Sequence, residues 1–222
     1  MKNFFAIQSK MKIVEVNNSR LKNFFAIQSE KSDKPFLNNM RECRSIKLYQ
    51  TDIVADIGAY IGEYSVHCIN SGVKKVFSYE PTSNTFKILS KNKRGNMEIK
   101  NVAVVGDNRK TATLNISKGI GVTNSIVKAH KKSHTIEVPC IRYEDAVKDA
   151  TIVKIDVEGA EYDYNIIQPQ LRAIILEFHP RTDINWRVRA VEIMNEINRA
   201  GFKTIIEPTF QSGWNLTGSF KR

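Results

Sequence analysis

The chain has 222 residues, 41% hydrophobic and 26% charged, the balance of one compact globular domain that needs no disulfide or metal to hold its core. No run approaches the ~20 apolar residues that span a bilayer, and the N-terminus turns polar too soon, without a small-residue cleavage site, to be a secretory signal; a membrane span is excluded and a cytoplasmic location is the expectation. A formal net charge of +11 favours anionic partners, among them RNA, nucleotide-linked substrates and acidic membrane surfaces.

The octapeptide Lys-Asn-Phe-Phe-Ala-Ile-Gln-Ser occurs at Lys2–Ser9 and again at Lys22–Ser29. Two copies cannot build a solenoid, so this reads as a segmental duplication without a chemical role. Up to about Asp52 polar and aromatic positions mix without a sustained period, and residues 1–48 are expected to form a short helical lead-in on the edge of a domain spanning 49–222. From Ile53 onward short β-branched runs alternate with amphipathic segments, the pattern of a parallel sheet covered by helices on both faces. The spacing predicts a strand over Ile53–Ile57, a helix over Glu63–Asn70, and a strand over Lys75–Tyr79 that opens into Glu80. A helix over Thr82–Lys93 and a strand over Met97–Val104 follow. Thr111–Ile116 and Thr135–Ile141 read as extended segments flanking an inserted loop rich in Gly, Asn, Ser, Lys and His. Strands over Thr151–Asp156 and Ala173–Phe178 precede a helix over Arg187–Ala200, which Gly201 ends. Phe202–Glu207 and Trp214–Phe220 then form an antiparallel hairpin, completing a Rossmann-like α/β sheet of seven mostly parallel strands. Cys43, Cys68 and Cys140 are odd in number and far apart, and read as reduced thiols.

Asp56-Ile-Gly58-Ala59-Tyr60-Ile-Gly62 lies between a buried strand and a helix, where glycines let a backbone approach a ligand. An acid stands first, which repels a pyrophosphate but suits a zwitterion carrying an amino group and a sulfonium. Glu80 comes 24 positions after Asp56, at the end of the second strand, where an acid can accept hydrogen bonds from both hydroxyls of a ribose. Asn101–Val104 and then Gly106-Asp107 end the third strand, where an adenine ring would lie. In Lys154-Ile-Asp156-Val-Glu158-Gly-Ala-Glu161 an apolar strand delivers three carboxylates within six residues. Such crowding raises pKa values and is found where a cation, a metal or a proton transfer needs it; Glu161 also fits the plainer task of complementing a helix dipole. Glu177 and His179 alternate onto one side of the next strand, suited to a base with an orienting acid or to a hard divalent metal.

These segments, together with Tyr79-Glu80-Pro81, Asn101-Val-Ala103-Val104 and Ile175-Leu-Glu177-Phe-His179, resemble the FkbM family of methyltransferases in order and spacing, from about Tyr49 to the C-terminus. The resemblance implies a class I methyltransferase fold and S-adenosylmethionine as cofactor. It further implies a sugar or other small-molecule hydroxyl as acceptor, and hence O-methylation. It assigns cofactor contacts to Asp56, Gly58, Ala59, Tyr60, Gly62, Glu80, Pro81, Ala103, Val104 and Asp156. Tyr60 departs from the family, which commonly has Asn there.

Methyl transfer to an alcohol needs alignment and a base for the acceptor proton. Asp156 and His179 are the best-placed bases, with Glu158 and Glu177 as orienting partners. The acceptor is expected under the loop from Gly119 to His134, where Thr123, Asn124 and Ser125 suit a polyol. Lys128, Lys131 and Lys132 with His130 and His134 would instead suit a phosphate or a solvated charge run. Two rival readings remain: an RNA methyltransferase, favoured by charge but lacking a recognisable RNA-binding module, and a non-catalytic nucleotide-fold protein that binds partners through its basic surface.

Overall fold

Short β-branched runs pair at the centre of the fold, because a strand covered on both faces must be apolar at nearly every position. A computed structural model describes residues 12–17, 22–27, 45–117, 124–127, 133–211 and 215–222. The first half of the chain contains β1 (Lys12–Asn17), β2 (Lys22–Ile27), β3 (Ile53–Ile57), α1 (Glu63–Asn70), β4 (Lys75–Tyr79), α2 (Ser83–Asn92), β5 (Met97–Lys100), β6 (Ala103–Val105) and β7 (Thr111–Ser117). The second half contains β8 (Ser133–Arg142), α3 (Tyr143–Val147), β9 (Ile152–Ile155), a 3-10 turn (Ala160–Asp163), β10 (Ala173–Phe178), α4 (Trp186–Arg199), β11 (Lys203–Gln211) and β12 (Asn215–Lys221).

Seven strands form one sheet in the order β11-β12-β10-β9-β3-β4-β5. The five from β10 to β5 are parallel, and β12 runs antiparallel to both β10 and β11, the Rossmann-like arrangement the sequence predicts. Consecutive strand residues enter opposite cores. Val54, Val76, Ile152 and Ile175 pack with Tyr64 and Cys68 of α1 and with Ile88 and Leu89 of α2. Ala55, Ile57, Val153, Ile155, Ile174 and Leu176 pack with Ala190, Ile193 and Ile197 of α4. This period of two puts Asp56 and Lys154 on the face that carries α1. Among the described residues no helix is long and apolar enough to cross a membrane, and Cys68 and Cys140 are free thiols; Cys43 lies outside the described residues.

At the amino end of the sheet Asp52, 2% exposed, is fully matched. Arg172 Nε donates to its Oδ1 at 2.7 Å and Arg172 Nη2 pairs with its Oδ2. Thr151 Oγ1 donates to Oδ1 at 2.8 Å, and Tyr49 N–H to Oδ2 at 2.7 Å.

Three features differ from expectation. Where the lead-in is described, at 12–17 and 22–27, it is an antiparallel hairpin of β1 and β2; Val14-Glu-Val-Asn17 alternates β-branched and polar residues, the period of a strand. The run Met97–Val104 is two strands, since β5 pairs with β4 while β6 leaves for a three-stranded sheet with β8 and β7. The five-residue helix α3 and the 3-10 turn are additional elements, each too short to show a helical period in sequence.

Candidate active site

A cavity of about 290 Å³ opens at the carboxyl ends of β3, β4, β9 and β10, where a parallel sheet presents its loops to ligands. The β3–α1 loop forms its floor. Gly58 and Ala59 both donate backbone N–H to Tyr79 O, at 3.1 and 3.0 Å, and Asn92 Nδ2 of α2 donates to Ile61 O at 2.8 Å. A Cβ on Gly58 would stand 1.7 Å from the Asp156 carbonyl oxygen, and one on Gly62 2.6 Å from Leu89 Cδ1. The room these glycines make is therefore for protein, letting the loop sit against β9 and α2.

Asp56 is completely buried and does not line the cavity. Its Oδ2 accepts from Ser65 Oγ of α1 at 2.6 Å, Ser65 meets Ser78 Oγ at 2.7 Å, and Lys154 Nζ stands 3.8 Å from Oδ1. Burial raises its pKa more than Lys154 and Ser65 lower it. Asp56 thus anchors α1 beneath the site, and Ala59 and Gly62 likewise lie outside the lining.

Gly58, Tyr60, Glu80, Pro81, Ala103, Val104 and Asp156, all expected as cofactor contacts, do line the cavity. Tyr60 has φ 50°, the left-handed region that a bulky side chain rarely adopts and Asn tolerates, which gives a backbone reason for the Asn common at this position in the family it resembles. Its N–H donates to Glu80 Oε2 at 3.1 Å, while Thr82 N–H donates to Oε1 at 2.8 Å. Each carboxylate oxygen keeps a further lone pair for a ligand hydroxyl. Burial pushes Glu80 up to about 7. Asn101 Nδ2 fixes this turn through Glu80 O at 2.8 Å and Pro81 O at 3.0 Å. Val102, Ala103, Val104, Ile126 and Val157 add an apolar wall suited to a planar base.

Asp156, Glu158, Glu177 and His179 also meet at the cavity. The His179 ring, 4% exposed, turns Nε2 to Glu158 Oε1 at 3.5 Å, Glu177 Oε1 at 3.5 Å and Asp156 Oδ1 at 3.7 Å. Glu161 sits behind it. Its Oε1 accepts from His179 N–H at 2.6 Å and lies 3.6 Å from Nδ1, and its Oε2 accepts from Gly159 N–H at 2.8 Å. Burial alone would lower the His179 pKa, but Glu161, Glu158 and Asp156 outweigh it and hold the ring up at about 10. Burial raises Glu158 to about 7; it would also raise Asp156, but Lys154, whose Nζ donates to Asp156 Oδ2 at 3.1 Å, and His179 keep that group low.

Asn124 lines the cavity and donates from Nδ2 to Thr82 Oγ1 at 3.1 Å. Ser125 is buried and donates its hydroxyl to Glu158 O at 2.7 Å, so it secures the backbone that carries Glu158. Thr123, Lys128, His130, Lys131 and Lys132 lie outside the described residues. Glu63 was not expected here. It lines the cavity, burial pushes it up to about 8, and its Oε2 is sealed without a hydrogen-bond partner. As the first residue of α1 it reads in sequence as an ordinary helix-dipole acid. Lys154 had a clearer signal, a lone charge inside an apolar strand.

The family model described as Methyltransferase FkbM domain matches residues 56–204, from Asp56 past the whole of the cavity lining. The chain belongs to the FkbM methyltransferase family. Its fold recurs in TYW2 from P. horikoshii, solved in complex with MeSAdo, at 12% identity and a TM-score of 0.55, over 96% of this chain and 71% of that one. A tRNA m1G37 methyltransferase from M. jannaschii is 13% identical with a TM-score of 0.50, over 96% of this chain and 57% of that one. No protein of curated function matches the sequence. The FkbM chain is thus an S-adenosylmethionine-dependent methyltransferase on a Rossmann-like sheet.

Proposed function

We propose that this FkbM methyltransferase methylates a hydroxyl of a small molecule or sugar, with Glu158 taking the acceptor proton. The observation that carries this reading is the backbone at Glu158. Only Tyr60 and Glu158 among the described non-glycine residues have positive φ, 50° and 54°, and both line the cavity. Strain of this kind costs roughly 1–3 kcal/mol and persists where the surroundings impose it. At Glu158 it is held by the Ser125 hydroxyl on the carbonyl, and it presents the carboxylate to the cavity. Asp156, although 32% exposed, is engaged by Lys154, and the His179 ring is enclosed by carboxylates, whereas burial holds the 21% exposed Glu158 at about 7, near the pH at which a general base works.

The residues present fit the cofactor. Glu80 would take the two ribose hydroxyls, the wall from Val102 to Val104 the adenine, and the Glu63 carboxyl group the ammonium. Bound there, S-adenosylmethionine would supply an electrophilic methyl carbon, to be joined to the acceptor oxygen as its bond to sulfur gives way and leaves the electron pair on sulfur. Glu158 accepts the proton of the attacking hydroxyl, while Glu177 and Asp156 orient the acceptor.

The sign of the charge also supports a neutral acceptor. The chain carries +11 overall, yet the cavity is lined by the carboxyl groups of Glu63, Glu80, Asp156, Glu158 and Glu177 against the single imidazole of His179. That lining attracts a sulfonium and an ammonium and repels phosphate. Incubation with methyl-labelled cofactor should transfer label to hydroxyl-bearing glycosides or polyols and leave tRNA unlabelled. Label on tRNA alone, with binding that weakens steeply as salt rises, would overturn the acceptor assignment, and absence of S-adenosylhomocysteine binding in calorimetry would overturn the cofactor assignment.

A further inference from the structure

We infer that Asp156, Glu177 and His179 form a binding site for a first-row divalent cation at the acceptor end of the cavity. One ligand atom from each, two carboxylate oxygens and an imidazole nitrogen, lie within 4.8 Å of one another. His179 Nε2 is 3.5 Å from Glu177 Oε1 and 3.7 Å from Asp156 Oδ1. Those separations exceed the ~2.7–3.2 Å of hydrogen bonds to nitrogen. Atoms that share one ion at ~2.0–2.2 Å each stand ~3–3.6 Å apart in tetrahedral or octahedral geometry; Glu177 is within that range and Asp156 just beyond it, within reach of a small side-chain rotation.

The three ligands rest on rigid neighbours. Leu176 of β10 pairs with Ile155 of β9, so Glu177 and Asp156 leave adjacent parallel strands at the same height. His179 follows on the Glu177 side. Its ring is nearly sealed, and Glu161, itself held by two backbone N–H groups, backs Nδ1 so that Nε2 faces the carboxylates. Glu161 holds the residue through its backbone N–H and faces Nδ1 by charge at 3.6 Å, the side from which a carboxylate orients a ligating imidazole. Lys154 steadies Asp156 from the other side.

One imidazole with two carboxylates favours Mn2+, Fe2+, Co2+ or Zn2+ over Mg2+ and Ca2+, which prefer oxygen donors throughout. Three protein ligands leave coordination positions open. An acceptor hydroxyl in one of them would be acidified by the ion before Glu158 removes its proton. That role rests on the methyl-transfer reading; the cation site does not.

The full chain, stripped with a chelator and titrated with Mn2+ in equilibrium dialysis, should bind one ion. His179→Gln and Glu177→Gln should weaken it at least tenfold, while Glu192→Gln on the exposed face of α4 leaves it unchanged. Where a variant does not fold, the wild-type protein still decides the matter, because spin-echo EPR of bound Mn2+ should show coupling to a directly ligated imidazole nitrogen. Binding that is equal in wild type and His179→Gln, or a bound Mn2+ without nitrogen coupling, overturns the site. S-adenosylhomocysteine calorimetry on the stripped protein reads the cofactor pocket separately, so loss of cofactor binding with Mn2+ binding intact counts against the methyltransferase assignment alone.

Discussion

Asp52 and Asp56 stand four residues apart at opposite ends of β3, both buried, and their surroundings offer a carboxylate different things. At the amino end Asp52 meets a guanidinium, a hydroxyl and a backbone N–H, and although burial raises its pKa, Arg172, Tyr49 and Thr151 bring it below the ordinary value. At the carboxyl end Asp56, Glu63, Glu80 and Glu158 are all raised by burial that their partners do not offset. One end is matched within the protein, as a structural ion pair should be. The other is under-matched, and buried acids of that kind mark places where a ligand completes the set.

The largest expected effect comes from the carboxyl end. Glu158→Gln should lower turnover by about 100-fold to 10,000-fold, the range for loss of a general base, with S-adenosylhomocysteine affinity within twofold of wild type in calorimetry. Near-normal turnover would pass the base role to another group. At the amino end, Asp52→Ala leaves a partly exposed Arg172 without its acid and should cost about 2 kcal/mol in urea unfolding, while the folded fraction keeps its turnover. A loss of turnover without loss of stability would break the division between the two ends.

The ends should also respond to pH with opposite sign. Asp52 has a folded pKa below its unfolded value, so its stabilisation is present above the ordinary value of 3.8 and is lost as pH falls through the lower folded one. Glu63 has a folded value of about 8 against 4.5, so its burial weakens the fold as pH rises from 4.5 towards 8. Glu63→Gln should remove that decline, a difference on the order of 1 kcal/mol at pH 8 in denaturant titrations. Equal slopes in the two proteins would show that Glu63 is not the group responsible. Tyr60→Asn is the smallest change. Relief of the left-handed backbone should raise stability by about 0.5 kcal/mol, and unchanged or lower thermal stability would mean that the Tyr60 ring contributes packing of comparable size.

Strand and helix positions from Ile53 onward were legible because β-branched runs and amphipathic periods are direct consequences of burial. The change of sheet between Lys100 and Ala103 was not, since an extended apolar run looks alike whichever strand it pairs with. Within the site, Asp156, Glu158, Glu177 and His179 were legible as a group, through crowding of like charge and alternation along β10. Asp56 shows the limit: its position after a buried run marks the loop, but that its face is the one covered by α1, with Ser65 on its carboxylate, follows only from the packing. Glu63 was hidden for a related reason, because an acid in the first turn of a helix reads alike whether it meets water or a sealed cavity.

The division of Met97–Val105 between two sheets has a consequence for how such enzymes diversify. The antiparallel pair of β7 and β8 belongs to the small sheet, whose Val104 and Ile141 pack on the main core, while Asn124 and Ser125 from the segment between them reach Thr82 and Glu158. The segment between the two strands is thus a tie rather than an appendage: an exchanged hairpin would have to bring its own counterparts of Asn124, Ser125 and Ile126 to keep the pocket wall and the strained turn at Glu158 in place.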